Sequence, residues 1–132
     1  MKVVYASTPE QEKQIEELIA YFYSDIFPSY FTDEEITEME ENNILSKVEM
    51  YKHYNGTVKE AIQIITSLQV IIHIIETIQY ENVSEYHRTA FKKNISFLEK
   101  YSLSFPFQID SFSLPKTNII SYYCKPNNQF LV

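Results

Sequence analysis

Few residues in this 132-residue chain are equipped for chemistry. The histidines are His53, His73 and His87, and the one cysteine is Cys124. His73 and Glu76 stand three apart, a spacing that places both on one side of a helix. A metal held inside a helical bundle asks for more. Carboxylate-bridged sites repeat Glu and Glu-x-x-His over several helices, and here only the reversed His-x-x-Glu occurs. A His-Glu-x-x-His run and a cysteine pair are both missing. Cys124, in Tyr-Tyr-Cys-Lys, has Lys125 beside it as a weak activator, whereas a nucleophilic thiol needs a lowered pKa and access. His73, Glu76 and Cys124 are thus the candidates for a pocket. No catalytic residue, cofactor-binding residue or metal ligand is assigned, and no cofactor is expected.

The carboxylates offer little more. Glu34, Glu38 and Glu41 share a helical face with Glu35 nearby, but nothing apolar brackets them to part their pKa values, so they read as a solvated stripe. Gly56 is the only glycine. That excludes the usual dinucleotide fingerprint, phosphate loop, nucleophile elbow and calcium-binding EF-hand, each of which needs glycine for a tight turn or close approach. Formal charge is -7 and unevenly placed. Residues 1–50 hold twelve acids against three lysines, and residues 51–132 hold six acids against eight basic residues. An acidic first half repels a phosphate backbone. Arg88, Lys92, Lys93 and Lys100 form one modest basic side, and Tyr122, Tyr123 and Lys125 are a thin stacking platform, so no nucleic-acid partner is expected.

The elements that would position these groups are mostly helical. From Thr57 to Gln79 the chain is apolar at Ala61, Ile62, Ile64, Ile65, Leu68, Ile71, Ile72, Ile74, Ile75 and Ile78, covering well over half of a helical circumference. Thr57 with Glu60 forms a capping box. This central helix is read as packed on most sides. Gln63, Thr66, Ser67, Gln69, His73 and Glu76 interrupt it too often for a membrane span. Before it, Thr8 with Gln11 and Pro9 opens a helix with Ile15, Leu18, Ile19, Phe22 and Ile26 inward and Lys13, Glu17 and Tyr21 opposite, ending near Phe27. Thr32 with Glu35 opens a short acidic helix that Asn42 and Asn43 stop. The stretch from Ile44 to Tyr54 reads equally as helix or packed connector. Ser84 caps a fourth helix to about Tyr101, its apolar face formed by His87, Ala90, Phe91, Ile95, Leu98 and Tyr101.

Both ends read differently. Lys2–Ala6 and Asn118–Cys124 are rich in β-branched and aromatic residues and can pair as short strands. Phe105, Phe107, Ile109, Phe112 and Leu114 alternate roughly with polar residues. The expected fold is therefore α+β: about four helices around the central one (57–79), with short terminal strands, in a single domain over residues 1–132. The rival is an all-helical bundle wrapped by an aromatic tail. One cysteine and no secretory leader point to the cytoplasm.

The N-terminal run MKVVYASTPEQEKQIEELI, followed by FYSDIFP, resembles a small uncharacterised family of Bacillus and related bacteria. The resemblance spans the chain and rests on no chemical motif. It implies a cytoplasmic bacterial protein of unassigned function and transfers no site residue. From the residues themselves, the leading expectation is a non-catalytic protein-interaction or regulatory domain, with a homodimer or another protein as partner. The alternative is a small enzyme or ligand-binding protein with a pocket between the central helix and the C-terminal segment.

Overall fold

The architecture follows from one helix. In the computed structural model, which describes residues 8–46, 57–112, 124–127 and 129–131, four α-helices are present. They are α1 (Pro9–Tyr21), α2 (Asp33–Glu41), α3 (Val58–Thr77) and α4 (Glu85–Glu99). At 20 residues α3 spans about 30 Å. Its buried residues include Ala61, Ile64, Leu68, Ile71 and Ile75. α1 packs on one flank and α4 on the other. Length and apolar composition alone would let α3 cross a bilayer; in this fold half of that stretch is buried in protein.

Each helix starts where its side chains can satisfy orphan amides. Thr8, Thr32 and Thr57 accept from the backbone N–H three residues on, while Gln11, Glu35 and Glu60 reach back to the cap amides. Ser84 does the same with His87 in the returning position. The helical run opened by α1 extends past its expected end. A wider π turn (Phe22–Ile26) and a 3₁₀ turn (Phe27–Ser29) carry it through Pro28. Proline offers no N–H and crowds the preceding turn, so a change of winding there is the accommodation. Its consequence is that Phe22, Ile26 and Phe27 all enter the core.

From Leu103 to Phe112 the chain forms an extended strap with a 3₁₀ turn at Ile109–Ser111. Leu103, Phe105, Ile109 and Phe112 are buried. Phe105 is the centre of an aromatic cluster, its ring 5.5 Å from Phe22, 6.1 Å from Phe91, 5.1 Å from Phe107 and 6.2 Å from Phe112. Gln79, at the exit of α3, donates to the Phe112 carbonyl at 2.7 Å and to that of Ile75 at 2.9 Å. The strap is thereby tied to the end of α3. Beyond α2, Leu45 is fully buried and its N–H donates to the Ser104 carbonyl at 3.1 Å. Leu45 holds φ at 54°, a left-handed value that costs a branched residue on the order of 1 kcal/mol. Ile44 and Leu45 are therefore packed connector, and residues 47–56 lie outside the described residues.

The α+β expectation is overturned in favour of the helical bundle with an aromatic strap. From Thr8 to Phe112 the described residues form helices, turns and extended segments, with one isolated bridge, Ile44 to Ser104. The rough alternation of Phe105, Phe107 and Ile109 serves an aromatic core instead of a ladder. Further on, β1 (Cys124–Asn127) pairs antiparallel with β2 (Gln129–Leu131) as a local hairpin. A ribbon that short is not a layer of a core. The expected partners, Lys2–Ala6 and most of Asn118–Cys124, lie outside the described residues.

Two outcomes follow from this packing. Phe105→Ala is expected to cost about 3–5 kcal/mol, because a large ring is lost from a close-packed cluster; urea denaturation measures it, and a loss below about 1 kcal/mol would contradict the central place of that ring. Burial pushes the Tyr23 phenol up to about 12, and burial also raises that of Tyr30. Below about pH 10 these phenols stay protonated whether the chain is folded or not. Above it the unfolded chain releases protons that the folded chain keeps, so stability falls as pH rises. The urea midpoint is expected to drop between about pH 10 and 12, and less steeply in Tyr30→Phe.

Candidate interaction surface

The outer face of α3, between its two flanking helices, stays exposed along the helix. Lys59, Ile62, Thr66, Gln69, His73 and Glu76 follow one another at spacings of 3, 4, 3, 4 and 3, and all six are exposed. That is the spacing of a coiled-coil seam. Ile62 is 49% exposed, although it sits on the most apolar helix. The large hydrophobic residues exposed among the described residues are Val58, Ile62, Tyr80 and Tyr86. All four lie on α3, just past its end or in the first turn of α4. No Asp, Glu, Lys or Arg occurs from Ala61 to Ile75. Exposed faces of the other helices are charged: Lys13 and Glu17 on α1, Glu34, Glu38 and Glu41 on α2, Lys92 and Lys93 on α4.

Beside this seam an open groove of about 310 Å³ runs between α3 and α4, lined by Thr66, Gln69, Val70, His73, Tyr86 and His87, among others. His73 is exposed, its Nε2 3.5 Å from the Thr77 hydroxyl. His87 is buried and belongs to the helix cap. Its Nδ1 accepts the Ser84 N–H at 3.1 Å, which assigns the ring proton to Nε2, 3.7 Å from Glu81 Oε1. Periodicity placed His87 on the apolar face of this helix and missed its capping role; Ser84-x-x-His was the available signal, obscured because that third position usually holds Glu or Gln.

Glu76 turns to the other flank. Tyr21 donates to Glu76 Oε2 at 2.6 Å, and that hydrogen bond raises the Tyr21 phenol pKa. Tyr21 therefore leans towards α3, whereas the helical projection assigned it to the far side of α1. His73 and Glu76 share the outer face but have different partners, one at the α4 groove and the other at α1. Cys124 begins β1, and its side chain is not among those described. His53 lies outside the described residues. As far as Phe112, the contact between α3 and the C-terminal segment is filled by Phe105, Ile109 and Phe112. Among the described residues no group of three or more His, Cys, Asp or Glu is placed to hold a metal ion.

Comparison with known proteins agrees with the Bacillus resemblance. The chain is 37% identical over 118 residues to the uncharacterized protein YhcU of Bacillus subtilis (strain 168), covering 89% of this chain and 87% of that protein. No solved structure matches it. A family model described as a family of unknown function matches residues 1–117, ending before Cys124. The chain belongs to that family, DUF5365.

Proposed function

We propose that this protein is a non-catalytic, intracellular interaction module whose working surface is the outer face of α3 together with the edge of the α4 groove. One observation carries the reading: the exposed seam on the central helix is free of formal charge between Lys59 and Glu76 and carries one exposed isoleucine, Ile62, with Val58 exposed one turn before it. Solvated helix faces use Lys, Glu and Arg, as the other three helices do, whereas the centres of protein interfaces are depleted of charge. The groove beside the seam is shallow in chemistry. His87 is committed to a cap at Nδ1, and His73 has a hydroxyl within reach. That arrangement suits contact with a side chain better than turnover of a substrate.

A photo-activated cross-linking residue placed singly at Ile62, Thr66 or, as a control, Glu34 tests this in Bacillus cells expressing the full chain. Protein adducts are expected at Ile62 and Thr66 in excess of those at Glu34. Adduct yields at the seam no higher than at the acidic α2 face would overturn the reading.

A further inference from the structure

We infer that the partner on this seam is a second copy of the same chain, with the two α3 helices antiparallel about a twofold axis between Ser67 and Leu68. The inference rests on the interaction reading and adds its partner and register. The carrying observation is the symmetry of the seam. Counted from that midpoint, Lys59 is as far to one side as Glu76 is to the other. Ile62 mirrors His73, and Thr66 mirrors Gln69. Antiparallel pairing thus sets each Lys59 beside the other copy's Glu76, twice by symmetry. It lays each Ile62 against the imidazole of His73, and pairs hydroxyl with amide at the centre, where both can hydrogen-bond. A parallel arrangement would oppose Lys59 to Lys59 and Glu76 to Glu76, so the end charges select the antiparallel one.

The surroundings fit this register. Among the described residues Lys59 makes no ion pair, and Glu76 is held at the edge of the seam by the Tyr21 hydroxyl 2.6 Å away. A chain of charge -7 repels its own copies over most of its surface, and the uncharged stretch of α3 is where that repulsion is least. The 3-4 spacing matches the shallow crossing at which two helices keep a common seam in contact along their length.

The test exchanges charges in the full-length protein, with association followed by sedimentation equilibrium. Lys59→Glu and Glu76→Lys are each expected to weaken the dimer roughly tenfold, since each turns two attractive pairs into repulsive ones. An equimolar mixture of the two variants is expected to dimerise as the wild type does. In the mixed dimer the acid introduced by Lys59→Glu meets the base introduced by Glu76→Lys, and the unaltered Lys59 of one variant meets the unaltered Glu76 of the other. Recovery on mixing cannot come from a folding defect in either variant. Tyr21→Phe serves as a control for the hydrogen bond that Glu76→Lys removes. A wild-type chain still monomeric at about 1 mM, or single variants that associate as tightly as the wild type, would overturn the inference. Seam cross-links to a different protein would overturn the second copy and leave the interaction reading standing; no seam cross-links would remove both.

Discussion

The burial of α3 constrains everything else in this molecule. A 20-residue helix with isoleucine or leucine around most of its circumference cannot be left in water. Each such side chain covered is worth about 1.5–3 kcal/mol, and the rest of the chain is arranged to collect that free energy. α1 takes one flank, α4 takes the other, and the aromatic strap closes across the end. Only a narrow outer strip remains, and the residues there differ in kind from those on the exposed faces of α1, α2 and α4.

The strap shows how the constraint propagates. Phe105 and Phe112 reach the core because Gln79 fixes the Phe112 carbonyl at the exit of α3 and because Leu45 and Ser104 join the two connectors. The wide turn before Pro28 brings Phe22 and Phe27 to meet them. Aromatic rings from three separate stretches of chain thus fill one space, which accounts for much of the phenylalanine content. Helix packing sets the dimensions of that space, and local backbone irregularities let the rings enter it.

The candidate surface was only partly legible beforehand. Periodicity placed His73 and Glu76 on one side of the central helix, as candidates for a pocket. Thr66 and Gln69 read only as polar interruptions of an apolar helix and Ile62 as one more core isoleucine, so nothing joined them with Lys59 into one seam. Their common exposure depends on where α1 and α4 settle. The likeness to YhcU extends over this region without assigning it a role.

Local features are written in the chain itself: the helix starts, through Thr8, Thr32, Thr57 and Ser84, and the central place of α3, through its apolar circumference. Caps and 3.6-residue periodicity act within one turn or one face, so they can be read without neighbours. Packing settled the rest: which alternating segment becomes strap instead of strand, that Tyr21 reaches across to Glu76, and which strip of α3 stays uncovered. Those outcomes depend on contacts between residues 33 to 83 positions apart, from Gln79 with Phe112 to Phe22 with Phe105. Alternation of apolar and polar residues cannot foretell them, because it is the same for a strand in a sheet and for an extended strap over a bundle.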